Sequence, residues 1–257
     1  MNIKALIFDV DGTLADTERD GHRPAFNLSF ADAGLDWHWS PELYGELLEV
    51  TGGKERIAHY IKQHCPHFTP PDGSPLDEFI AGLHRAKTRH YIELLARGDI
   101  PLRPGVARFL GEAREAGLRL AIATTTTPEN VTALLRSTLG EASIGWFEVI
   151  AAGDVVPAKK PAPDIFIYAM AQLGLPPEAC LAVEDSANGL ASSRASGLQT
   201  LVTVNDYTLD HDFSQACAVL DHLGEPGKPC RVLRGPAGLA PMVTLSGVQT
   251  CLQRGVA

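Results

Sequence analysis

The chain has 257 residues, 45% of them hydrophobic, enough to bury a full α/β core and still spare material for an inserted module. A formal net charge of −9 argues against a nucleic-acid partner, so an anionic ligand has to be held by a local basic cluster or a metal rather than by the overall field. Five widely spaced cysteines, odd in number and without a Cys-x-x-Cys pair, argue against a disulfide framework or a zinc site, and with no leader-like segment and no apolar run of about 18 residues the expectation is a cytoplasmic protein, neither exported nor membrane-spanning.

From the amino terminus, Ala5-Leu6-Ile7-Phe8 predicts a buried strand, and Asp9-Val10-Asp11-Gly12-Thr13 directly behind it sets two carboxylates at i and i+2 on the strand tip. Gly12 lets the chain turn away and leaves both acids projecting into one crevice. Two acids that close repel, so a cation is the natural third member. Apolar residues at Ala25, Phe26, Phe30 and Ala33 then recur at helical spacing up to Gly34. Pro41 opens a second helix, a third runs from about Glu55, and a longer one spans Leu76 to Ala96 after the Pro-rich loop 65–75, so residues 16–96 read as all-helical.

From Ile100 helix alternates with strand: a helix over 104–116, then the strand 118–123, which implies a mostly parallel, doubly wound sheet. Four threonines close that strand, and Thr127-Pro128-Glu129 predicts the N-cap of the next helix. Thr124 therefore sits at a strand's carboxyl end beside a helix N-terminus, where hydroxyl and backbone N–H groups can hold a phosphate oxygen, with Thr125 next to it as a candidate substrate contact. In Lys159-Lys160-Pro161-Ala162-Pro163 the prolines keep Lys160 extended and fix its ammonium relative to the sheet, whereas Lys159 reads as a solvated lysine. Leu181-Ala182-Val183 leads to Glu184-Asp185, and because parallel strands open their carboxyl ends on one rim, these acids should arrive beside Asp9 and Asp11. Hard oxygen ligands gathered in this way suit Mg²⁺. Two more strands, 199–204 and 216–220, complete the core; residues 224–242 carry no readable chemistry, and 244–252 predicts a short terminal helix packed on the core.

These four stations, in this order, resemble the four motifs of the haloacid dehalogenase superfamily, whose members mostly transfer phosphoryl groups through an aspartyl-phosphate and need Mg²⁺; the resemblance covers most of residues 1–204. It implies an α/β, doubly wound Rossmann-like core (1–15 and 97–257) interrupted by an all-helical insert (16–96) that is similar to the four-helix cap of the phosphoglucomutase-like branch. It implies Asp9 as nucleophile, Asp11 as acid and base, Thr124 and Lys160 as phosphoryl-holding groups, and Mg²⁺ held by Asp9, the backbone carbonyl of Asp11 and Asp185, with Glu184 either a ligand or the partner of one.

Selectivity is expected in the insert. Thr51-Gly52-Gly53-Lys54-Glu55-Arg56 puts glycines beside a helix start with two cations, either a grip for a second anionic group or a solvated helix start. Glu18, at the hinge Asp16-Thr17-Glu18, and His22 and Arg23 just behind it are further candidates. Gly-Gly-Lys-Glu-Arg, the hinge and Lys160-Pro161-Ala162-Pro163-Asp164-Ile165-Phe166 together resemble the CbbY-type phosphatases of autotrophs, a subgroup that dephosphorylates xylulose-1,5-bisphosphate, a Rubisco inhibitor, to xylulose 5-phosphate. The resemblance implies a small phosphosugar substrate; charge and hydropathy lead to the expectation of no nucleic-acid or membrane partner, and a monomer is expected. A β-phosphoglucomutase-like mutase shares every core motif, and another phosphosugar remains an alternative substrate; a signalling receiver is disfavoured by the cap, Thr13 and Glu184.

Overall fold

Strand β1 (Ala5–Phe8) has no solvent-exposed side chain, as an unbroken apolar run requires when helices cover both faces of a sheet. The computed structural model describes residues 3–254. After β1 the chain makes a π-helical turn, Glu18–His22, followed by four helices: α1 (Arg23–Asp32), α2 (Pro41–Leu47), α3 (Gly53–His64) and α4 (Leu76–Ala96). Pro41 occupies the first turn of α2, and the Ser40 hydroxyl accepts from Leu43 N at 3.2 Å, the capping that a first-turn proline invites.

Helix and strand then alternate through α5 (Val106–Glu115), β2 (Arg119–Ala123), α6 (Pro128–Leu139), β3 (Phe147–Ala151), α7 (Asp164–Leu173), β4 (Cys180–Glu184), α8 (Ala187–Ala195), β5 (Gln199–Thr203), β6 (Ala218–Leu220), β7 (Val232–Arg234) and α9 (Leu245–Arg254). The strands form one sheet in the order β3-β2-β1-β4-β5-β6-β7, parallel throughout except for the antiparallel edge strand β7. This is the doubly wound architecture expected from the sequence. The strand order reverses between β1 and β4, which places a crevice at the carboxyl ends of these two neighbours.

The hydrophobic pattern does not single out β3 or β7. In β3, Glu148 faces solvent next to a 3₁₀ segment, and β7 is three residues long and mostly exposed. The stretch around 224–242 is tied down by polar contacts: Arg108 donates to the carbonyls of Leu223 and Gly224, both at 3.0 Å, and of Val243 at 2.8 Å.

The chain forms two compact units, Met1–Asp16 with Pro101–Ala257, and Thr17–Ile100. The first is organised around the sheet, with Ile7, Ala121, Ala182, Ile165, Phe166 and Ala169 in one buried cluster. The second buries an aromatic cluster instead: Trp39 lies 4.7 Å from Phe26, 4.9 Å from Phe30 and 5.4 Å from Tyr60, and Trp37 lies 5.4 Å from Phe30 (ring centroids). Pairs at these separations contribute beyond the area they bury, which compensates for the absence of a sheet. Among the described residues no helix is long and apolar enough to cross a membrane.

Candidate active site

Strands β1 and β4 pair in parallel register, Phe8 opposite Val183, and Asp9 N extends the ladder to Val183 O at 3.0 Å. One residue further on, the two strands release Asp9 and Glu184-Asp185 at the same level of the rim. Carboxylate oxygens of Asp9, Glu184 and Asp185 all lie within 4.8 Å of one another, and all three residues are buried. Lys160 enters this group from the loop before α7, its Nζ 2.7 Å from Asp9 Oδ1 and 2.5 Å from Glu184 Oε1, with the Phe166 ring centroid 5.1 Å away. Lys159 pairs with Asp154 at 3.3 Å.

Backbone geometry makes room for this packing. Gly12 has φ +80°, and a Cβ there would stand 2.2 Å from Asp185 Oδ2. A Cβ on Gly189, in the first turn of α8, would stand 1.9 Å from Glu184 Oε2. Both positions therefore require glycine, for different reasons: the first needs left-handed backbone as well as space, the second only space. Asp185 is further held by Asn205, which donates to Oδ2 at 2.6 Å, and by the Thr13 hydroxyl, 3.4 Å from Oδ1.

The electrostatics show what the cluster lacks. Burial pushes the Asp9 carboxyl up to about 7, Glu184 and Asp11 add to the rise, and Lys160 opposes it. Burial, Asp9 and Glu184 hold the Asp185 carboxyl well above the ordinary range, against Arg103 and Asn205. Burial would lower the Lys160 ammonium, yet Asp9 and Glu184 outweigh it and hold its pKa above the usual lysine value. When ionised, the trio carries more negative charge than the Lys160 ammonium offsets, with Asp11 adding to the excess and Arg103 reducing it; a divalent cation would complete the site, and the all-oxygen donor set suits Mg²⁺.

The remaining core candidates share the rim. Asp11 is half-buried and its carboxylate lies outside the buried trio. Thr124 follows β2 directly, is buried, and its Oγ1 accepts from Thr126 N at 3.4 Å; Thr125 is half-buried beside it.

In the helical unit, Arg56 is buried: its Nε donates to Leu47 O at 3.1 Å, its Nη1 donates to Tyr44 Oη at 3.0 Å, and its guanidinium lies over the Tyr44 ring. Tyr44 in turn donates to Glu18, so Glu18, Tyr44 and Arg56 form one chain of contacts. Lys54 is exposed. Gly52 caps α3 with φ +101°, and a Cβ on Gly53 would stand 2.6 Å from His84 Nε2, so the local fold itself calls for this glycine pair. His22 is buried against Tyr91 and lies 2.8 Å from Lys87 Nζ, while Arg23 reaches Trp39 O at 3.5 Å. Lys87 is a buried cation that the sequence reading missed; its place on a helical stripe gives no sign that it meets a residue 65 positions away.

Residues 3–197 match the family model of haloacid dehalogenase-like hydrolases. The chain is 55% identical to CbbY of Rhodobacter capsulatus over 84% of its own length and 92% of that protein. It is 50% identical to the plasmid-borne CbbY of Cupriavidus necator over 88% of each. The crystal structure of a CbbY variant from Rhodobacter sphaeroides in complex with xylulose-(1,5)bisphosphate superposes with a TM-score of 0.78 at 49% identity, covering 86% of this chain and 94% of that one. The chain therefore belongs to the haloacid dehalogenase-like hydrolases, and within them to the phosphatases of CbbY type.

Proposed function

We propose that this phosphatase is Mg²⁺-dependent, works through an aspartyl-phosphate on Asp9, and hydrolyses xylulose-1,5-bisphosphate to xylulose 5-phosphate and phosphate in the cytoplasm. The observation that carries the chemistry is the buried trio Asp9, Glu184 and Asp185 with Lys160 as its single ammonium. The substrate reading rests on the xylulose-(1,5)bisphosphate complex of the 49%-identical relative.

Asp9, Asp185 and the backbone carbonyl of Asp11 would hold the metal, with Glu184 supporting through Lys160 and through the Asp185 N–H that it accepts at 3.2 Å. When bound there, Mg²⁺ supplies positive charge to the equatorial oxygens of the transferring phosphoryl group. A carboxylate oxygen of Asp9 attacks phosphorus as the bond to the sugar oxygen breaks, and Asp11 protonates the departing alkoxide. Asp11 then removes a proton from water, whose oxygen attacks the phosphoryl group and frees Asp9. Lys160 and Thr124 hold phosphoryl oxygens through both steps. The helical unit reads the rest of the sugar, with Lys54, Arg56, Gly52, Gly53, Glu18, His22, Arg23 and, from the core, Thr125 as the proposed contacts.

The test is phosphate release from xylulose-1,5-bisphosphate against a panel of phosphosugars, with EDTA arresting turnover and Mg²⁺ restoring it. Isomerisation of a sugar phosphate without net phosphate release would assign a mutase instead, and turnover indifferent to EDTA would remove the metal from the reading.

A further inference from the structure

We propose that Arg103 is a positioning residue for phosphoryl transfer, a buried guanidinium that sets the Gly12 turn and the Asn205 loop on either side of Asp185. The proposal rests on the catalytic reading given above.

Arg103 is 7% exposed and gives its donors mainly to backbone carbonyls. Nη1 donates to Gly12 O, to Thr203 O at 2.9 Å and to Thr203 Oγ1 at 3.1 Å; Nη2 donates to Val204 O at 2.5 Å and to Asp221 O at 2.7 Å. Nε pairs with Asp16 at 3.2 Å, and the backbone N–H of Arg103 donates to Leu14 O at 2.8 Å. One side chain thus joins the segments that leave β1, β5 and β6, all at the carboxyl rim of the sheet.

Two of the gripped segments adjoin Asp185. Gly12 approaches it so closely that a Cβ would stand 2.2 Å from Oδ2. Val204 precedes Asn205, whose amide donates to that same oxygen at 2.6 Å. Moving either segment by a few tenths of an ångström would move Asp185 relative to Asp9, and phosphoryl transfer is sensitive to displacements of that size. Of the three segments that the Arg103 side chain joins, two are the ones that flank this carboxylate oxygen. Only a planar fork of five donors can serve so many acceptors; a lysine keeps the charge and loses the bridge.

The test uses the full chain with acetyl phosphate as substrate and Mg²⁺ as the titrated metal. Arg103→Lys is expected to fold, to lower kcat by about tenfold or more with KM changed less than about threefold, and to weaken Mg²⁺ binding severalfold by calorimetry. Asn205→Ala should lower kcat in the same sense, and the double variant should fall short of the product of the two losses by about threefold or more, because both act through Asp185. A folded Arg103→Lys with parental kcat and Mg²⁺ affinity, or losses that simply multiply, would overturn the inference. If Arg103→Lys does not fold, Thr203→Val, which removes a single acceptor, takes its place: a kcat loss coupled to Asn205→Ala supports the inference and an unchanged kcat overturns it. Asp9→Asn is the control. If it keeps turnover, the catalytic reading fails; if it is inactive while Arg103→Lys matches the parent, only the role of Arg103 fails.

Discussion

In the α/β unit the buried cation Arg103 gives its donors to fixed oxygens, whereas in the helical unit the buried cation Lys87 lies over two rings, Phe26 at 5.0 Å and Tyr91 at 5.3 Å; Lys160 and Arg56 combine both kinds of contact, Lys160 with Asp9, Glu184 and the Phe166 ring, Arg56 with Leu47 O, Tyr44 Oη and the Tyr44 ring. An oxygen acceptor fixes the direction of an N–H bond, while a ring face attracts a cation over a broad area. The first arrangement suits a centre whose atoms must not move during bond making. Under the proposed function the α/β unit is the chemical half and the helical unit the recognition half, and ring contacts suit a unit that reads the outline of a sugar.

The division breaks most severely if Asp9 is dispensable. Asp9→Asn is isosteric and should leave the fold intact while cutting phosphate release by about 10³-fold or more on every substrate, because an amide is no nucleophile here. Retention of more than a few per cent of activity in a burst-free assay would reassign the nucleophile. Asp11→Asn comes next: loss of its proton transfer should cost about 10² to 10⁴-fold while Asp9 still reacts, so a phosphoenzyme should accumulate and be visible by intact mass. Hydrolysis at the parental rate by this variant would move the acid and base role elsewhere.

The recognition half is probed by Arg56→Ala and Lys54→Ala. Each is expected to raise KM for xylulose-1,5-bisphosphate, by about 10-fold or more for the buried Arg56 and less for the exposed, solvent-screened Lys54, with acetyl phosphate kinetics nearly unchanged. Equal losses on both substrates would mean that these residues serve the chemistry or the fold. Because Arg56 also anchors Tyr44, its variant should melt earlier than the parent, which Lys54→Ala should not.

The smallest expected effect concerns metal-free stability. Asp9 is raised from 3.8 to about 7 by burial, so over that window the folded chain binds the proton more tightly than the unfolded one, and this group's contribution to stability is lost as pH rises through about 7. Mg²⁺, which pairs with the ionised trio, should therefore raise the melting temperature by a few degrees more near pH 8 than near pH 5, roughly. A Mg²⁺ effect that shrinks with rising pH would contradict the charge accounting of the site.

The two halves also differ in how far the sequence alone discloses them. β1 and β4 were readable because each is a run of apolar residues ending in acids, and the sheet pairs them so that Asp9, Glu184 and Asp185 meet. Lys160 was readable because prolines follow it. Arg103 was not: four of its acceptors are backbone carbonyls, and a carbonyl about a hundred positions away leaves no mark on composition or spacing. Lys87 was hidden for a related reason, since its partners His22 and Phe26 reach it only once the turn Glu18–His22 and α1 pack against α4. The sequence reading treated Arg56 as a cation beside Lys54, and the structure buries one and exposes the other, because the two-residue offset between them turns a helix by about 200°.

The aromatic cluster of the helical unit also makes that unit observable without a label. Of the three tryptophans in the chain, Trp37 and Trp39 belong to the cluster and only Trp146 lies in the α/β unit, where Arg114 stacks at 4.1 Å. Trp39 has no solvent access, so its emission begins far to the blue and shifts red as soon as the helices around it loosen. Intrinsic fluorescence therefore reports mainly on the recognition half, while far-UV dichroism averages over both. A gap between the two melting curves would show that the helical unit loosens at a different temperature from the rest of the chain.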